Sequence, residues 1–168
     1  MSFEINIVSI NQEIPVHINF NSQIIVHNEI DNNEESRYTE IWPFFSNTKG
    51  ILYSLVQEVS DGFYSSFPLC DSDFEISLSE NSFPNWIPGE IKGDLTPFIV
   101  KENVYEDFAK IIHFLIDNAP QKRILFQTRY QCKDCEIVFG VIKIKKFFEM
   151  LNLKQIFFNV CYIIECDY

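Results

Sequence analysis

Basic residues are nearly missing from the first half of this chain. Residues 1–84 hold only Arg37 and Lys49 against 13 Asp and Glu, a net charge of −11, while residues 85–168 carry 11 of each sign. An acidic field confined to one half repels nucleic acid and anionic membrane and attracts basic surfaces. Glycine is also scarce, at five in 168 residues, which leaves little material for a Gly-rich phosphate cradle. No apolar run approaches the roughly 18 residues of a membrane span. The N-terminal MSFEINIVSI lacks a basic leader and reads as a strand rather than a signal peptide. Cysteines number five. An odd count without a leader points to free thiols in a reducing, cytoplasmic setting.

What is present in quantity is apolar surface. Apolar residues make up 46%, with 17 Phe, 7 Tyr and 2 Trp, enough to offset ordering entropy and exclude a disordered chain. The length fits one domain that buries roughly 70% of its unfolded surface.

The patterning predicts a single α+β domain, residues 1–168, with a mainly antiparallel sheet and two to three helices packed on it. Phe3–Ile10 and Pro15–Phe20 alternate at the strand period and predict a hairpin, which Gln23–His27 continues. Residues 28–40 are polar and acidic and read as an exposed loop. Residues 49–60 place Ile51, Leu52, Leu55, Val56 and Val59 at helical spacing, with Asp61-Gly62 as the stop. Phe63–Gly89 reads as loop, with Phe63, Tyr64, Phe67, Phe83 and Trp86 packed beneath it and one short strand over Phe74–Leu78. Residues 91–101 are expected to hold another short strand, interrupted by Pro97.

The last third is patterned most clearly. Asn103 and Glu106 form a capping-box pattern for a helix over 104–118, which Pro120 ends. Arg123–Tyr130 and Glu136–Ile142 are β-rich and read as a hairpin joined by Gln131–Cys135. A short helix covers 145–151, with Phe147, Phe148 and Leu151 inward. Residues 155–165 are apolar on both alternating faces, the pattern of a central strand covered on both sides.

Candidate chemistry is thin. Cys132-Lys-Asp-Cys135 has zinc or disulfide spacing, but zinc needs four ligands and Cys161 and Cys166 have the wrong separation and opposite strand parity. A redox CxxC opens a helix, whereas this one lies in an expected hairpin loop. His17, His27 and His113 cluster with neither acids nor thiols. Cys161 falls within a strand, where a nucleophile would be sealed in. Paired carboxylates abound, Glu106/Asp107 among them, and default to ionised, solvated groups. Asp71 and Asp73 share a strand face but lack the glycine and distal glutamate of a calcium loop. Lys143, Lys145 and Lys146 form the one basic cluster and oppose the dipole at a helix start. No metal, cofactor or catalytic group is therefore assigned.

Three C-terminal runs, RILFQTRYQ (123–131), FGVIKIKKFFEMLN (139–152) and IFFNVCYIIE (156–165), resemble the tail of small immunity proteins encoded beside bacterial polymorphic toxins. The resemblance covers about a third of the chain. It implies a non-enzymatic cytoplasmic protein that binds and neutralises a cognate toxin, commonly a nuclease, and it transfers no site residues. The charge pattern points the same way, because a nuclease presents a basic cleft that an acidic surface can fill. The expected partner is a basic protein toxin domain, not nucleic acid or membrane. Its expected contacts are Glu29, Asp31, Glu34, Glu35 and Glu40, together with Asp71, Asp73 and Glu75. The alternative is an acidic interaction or adaptor domain with no toxin partner.

Overall fold

A computed structural model describes residues 3–9, 18–29, 46, 50–70, 85, 87–130 and 137–168. Among these residues one mixed sheet of seven strands carries two α-helices. The strands are β1 (Phe3–Ser9), β2 (Ile25–Glu29), β3 (Ile51–Ser60), β4 (Phe63–Ser66), β5 (Arg123–Tyr130), β6 (Ile137–Lys143) and β7 (Val160–Glu165). The helices are α1 (Glu102–Asn118) and α2 (Ile144–Asn152), and a 3-10 helix spans Gly89–Asp94. The main path runs β2-β3-β1-β5-β7-β6, with β4 also paired to β3. The α+β class agrees with the sequence. The sheet is not purely antiparallel, because β6 runs parallel to β7.

One face of the sheet is a row of large apolar side chains. The register aligns Tyr53, Ile7, Phe126 and Tyr162 across β3, β1, β5 and β7, and each is at most 1% exposed. Val104, Phe108, Ile111, Ile112, Leu115 and Ile116 of α1 and Ile144, Phe147, Met150 and Leu151 of α2 are buried. An aromatic cluster ties helices to sheet. Phe126 lies 5.9 Å from Phe108 and 5.2 Å from Phe147, ring centre to ring centre. Phe98 joins it 5.7 Å from Phe126. The rings meet edge to face or tilted, the arrangement their quadrupoles favour. Burial pushes the Tyr162 phenol well above its ordinary pKa, and its hydroxyl accepts the Phe157 N–H at 3.1 Å.

Several local expectations hold. The expected helix over 104–118 is α1, ending as Ala119 turns extended before Pro120. The short helix is α2, with Phe147 and Leu151 buried and Phe148 only partly so. The two-faced run contains β7, flanked by β5 and β6, with Phe158, Val160 and Ile164 buried. Regular pairing starts at Val160 because Asn159 adopts a left-handed conformation at φ 62°.

Four expectations are corrected. Residues 51–60 are a strand, not a helix: Tyr53 and Leu55 are buried on one face at period two, and Asp61-Gly62 turns a hairpin into β4 rather than ending a helix. Residues 123–130 and 137–143 do not pair, because β7 inserts between them. A strand apolar on both faces is favoured inside a sheet, and the β6–α2–β7 crossover places it there as the parallel partner of β6. The N-cap of α1 is Lys101, without a side-chain cap bond, which leaves Asn103 inside the helix. Residues 89–101 hold the 3-10 helix and a single bridge from Pro97 to Phe157 rather than a strand. The expected strand at 74–78, most of the 15–20 strand and the loop at 131–135 lie outside the described residues.

Candidate functional site

Of the eight acidic residues expected to contact a partner, Glu29 is the last residue of β2, opposite Leu52 of β3. Asp31, Glu34, Glu35, Glu40, Asp71, Asp73 and Glu75 lie outside the described residues, as do His17, Cys132 and Cys135. The register of β2 on β3 sets Glu29 beside the start of β3.

The remaining candidates are engaged in structure. Asp107, expected to be solvated, is 1% exposed. Its carboxylate accepts the backbone N–H groups of Asn21 at 3.1 Å and Ser22 at 2.8 Å, tying the segment before β2 to α1. Burial alone would raise its pKa. The Ser22 hydroxyl close by, the two backbone donors and the Lys110 ammonium at 3.6 Å outweigh burial and hold the carboxyl below its usual range.

His27 is exposed and lies 5.5 Å from the Tyr64 ring. His113 stacks on Phe148 at 5.4 Å. Cys70, Cys161 and Cys166 are buried and not in disulfides. Among the described residues no group of three His, Cys, Asp or Glu side chains is placed to hold a metal ion, and no helix is long and apolar enough to cross a membrane.

The lysine cluster also has local partners. Lys143 Nζ donates to the Cys166 carbonyl at 2.9 Å and meets Glu165 at 3.4 Å. Lys146 meets Glu149 at 3.3 Å. The Asp167 carboxylate accepts the Lys145 N–H at 3.4 Å, which puts an anion at the start of α2 where the helix dipole welcomes one. Beside these lysines an open groove of 390 Å³ is lined by Phe139, Val141, Ile142, Met150 and Gln155.

Two features were missed in the sequence. The first is the other face of the sheet, where the register aligns Ser54, Asn6, Gln127 and Cys161. Gln127 and Cys161 are fully buried there, Asn6 is 4% exposed, and the Ser54 hydroxyl donates to Asn6 Oδ1 at 3.3 Å. Both polar atoms of the Gln127 amide are buried without a hydrogen-bond partner. The second is the tip of the β3–β4 hairpin. Phe67 packs inward as expected, but Phe63 and Tyr64 do not: they are 71% and 49% exposed, beside Val59 at 59%. Asp61-Gly62 between two β-rich runs was the available signal.

No protein-family model, no curated protein and no solved structure matches the chain.

Proposed function

We propose that this protein is a non-enzymatic inhibitor that binds a basic toxin domain, of nuclease type, through its acidic first half. The observation that carries this reading is the −11 confined to residues 1–84 beside a neutral second half. A charge serving solubility alone needs no such asymmetry, whereas an inhibitor that must capture its target before damage occurs gains from steering. Complementary fields raise association rates by roughly 10- to 1000-fold. The fold is compatible with this role. Its one described acid with a shifted titration, Asp107, ties backbone in place.

The test is co-expression with the C-terminal region of the neighbouring long reading frame, scored by rescue from toxicity and followed by binding kinetics on the purified pair. Reversing Glu34, Glu35 and Glu40 to Lys should slow association several-fold and flatten its salt dependence. Exposed charges are screened beyond about 8 Å at physiological ionic strength. Dissociation should change less. Absence of rescue, or an on-rate indifferent to salt, would refute the proposal.

A further inference from the structure

The sequence of β3 is longer than the sheet that flanks it. Residues 52–54 pair with β1 on one side and β2 on the other, and Val56 pairs with both β2 and β4, but among the described residues the strand from Gln57 to Ser60 pairs with β4 alone. The second half of the hairpin therefore continues as a two-stranded ribbon, closed by Asp61-Gly62, with Gly62 at φ 82°. The Glu58 carboxylate accepts the Gly62 N–H at 3.0 Å and braces the turn.

The composition of this ribbon is not that of a solvated tip. Val59, Phe63 and Tyr64 are all about half exposed or more within six residues. Single exposed apolar residues are ordinary, but three within six residues mark an interaction surface, and Phe63 opposite Ser60 and Tyr64 opposite Glu58 put one aromatic ring on each face of the ribbon. The charges beside them have one sign: Glu58 and Asp61 sit in the ribbon, and no Lys or Arg occurs between Gly50 and Ile91.

We infer that the β3–β4 ribbon is a docking arm for a cationic protein surface, with Phe63 and Tyr64 as anchors and Glu58 and Asp61 as flanking charges. The inference rests on the inhibitor proposal above and names a contact surface for it. Two separate chemistries select the same occupant. Carboxylates pair with Lys and Arg, and exposed aromatic faces attract the same cations through the ring quadrupole. Phe and Tyr on a hydrogen-bonded ribbon also lose few rotamers on docking, which suits them as anchors. A second copy of this chain is a poor occupant, because two bodies of charge −11 repel each other.

The experiment places the photo-crosslinking residue p-benzoylphenylalanine at position 63 of the full chain in its native cells. The same substitution at Leu153, which is 63% exposed outside the ribbon, is the control. The expected result is an adduct at position 63, absent at 153, with a protein of net positive charge identified by mass spectrometry. That protein, once purified, should bind the Phe63→Ala/Tyr64→Ala variant at least about tenfold more weakly than wild type. The variant should still unfold cooperatively, with a midpoint within a few degrees of wild type, since Phe63 is 71% exposed and Tyr64, although it meets the His27 ring, is 49% exposed. Glu58→Lys/Asp61→Lys should slow association and flatten its salt dependence.

An adduct with a second copy, an adduct with an acidic protein, or none, overturns the inference. So does a dissociation constant within twofold of wild type for the Ala pair. If a basic toxin is neutralised and reversing Glu34, Glu35 and Glu40 weakens its binding while the Ala pair does not, the arm is wrong and the inhibitor proposal stands. If no basic partner is found, both fall.

Discussion

Replacing Asp107 with alanine should destabilise the protein by about 2–3 kcal/mol without touching any exposed surface. A hydrogen bond to a charged acceptor contributes about 1.5–3 kcal/mol, and this carboxylate accepts two from backbone. The full sum is not expected, because Asn21 is exposed and Ser22 half-buried, so water can reach the freed donors in part. Lys110 adds little, since its side chain is 36% exposed and solvent screens such a pair. For a domain of this size a loss of this magnitude lowers the melting temperature by roughly 5–10 °C. Asp107→Asn keeps one acceptor and should cost about half as much. Hydrogen exchange at the amides of Asn21 and Ser22 should accelerate in both variants.

The pH dependence has a definite sign. The folded carboxyl titrates below its ordinary value of 3.8, so its contribution is fully present above about pH 4–5 and is lost as pH falls through the folded pKa. The stability gap between wild type and Asp107→Asn should therefore be constant from pH 5 to 8 and narrow between pH 4 and 3. Chemical denaturation across that range measures it. An alanine variant within 0.5 kcal/mol of wild type, on the order of an ordinary surface substitution, or a gap that does not narrow in acid, would refute the reasoning.

Three other outcomes follow from packing. Gln127→Met should stabilise the fold by about 1–2 kcal/mol in urea unfolding, because it replaces an amide buried without partners by an apolar chain of similar volume; a loss of stability would show that the amide is satisfied in solution. Phe126→Ala, at the junction of Phe98, Phe108 and Phe147, should cost about 3–5 kcal/mol, measurable as a large fall in the denaturation midpoint. Gly62→Ala should cost about 1 kcal/mol through its positive φ alone, since a Cβ there meets nothing within 4 Å; Gly62→Asn should cost clearly less by thermal melting, because asparagine tolerates that conformation.

The elements that were legible in the sequence are those where one period dominates. Helix α1 keeps its apolar residues on a single stripe from Val104 to Ile116, and Pro120 fixes its end. The β7 region carries apolar residues at both parities, which only an interior strand explains. Residues 51–60 misled because β3 is apolar on both faces near its start. Ile51, Leu52, Leu55 and Val56 then mimic a helical stripe, although Tyr53 at the centre is the most buried residue of the strand. The hairpin signal downstream was decisive and lay in plain view, since an Asp-Gly pair followed by Phe-Tyr-Ser-Ser favours a turn between strands. Asp107 was missed for a different reason. Its donors are 85 and 86 residues away in sequence, and nothing local distinguishes it from the solvated Glu106.

These misreadings bear on the partner surface. Charge alone directs attention to the acidic stretches 29–40 and 71–75, because a sequence displays charge directly but hides exposure. Charge governs how fast partners meet, while anchoring depends on large side chains that lose water on contact. Reading 51–60 as an amphipathic helix would have buried its apolar residues against a core and left no anchors to find. As a ribbon, the same stretch leaves Val59, Phe63 and Tyr64 exposed, with Glu58 opposite Tyr64 and Asp61 in the turn. In the proposed inhibitor, steering by the acidic segments and anchoring by the ribbon are then separable functions. Reversal of Glu34, Glu35 and Glu40 should act on the association rate and its salt dependence, and truncation of Phe63 and Tyr64 on the dissociation rate. A variant set in which both changes moved the same rate constant by the same factor would show that one surface, not two, makes the contact.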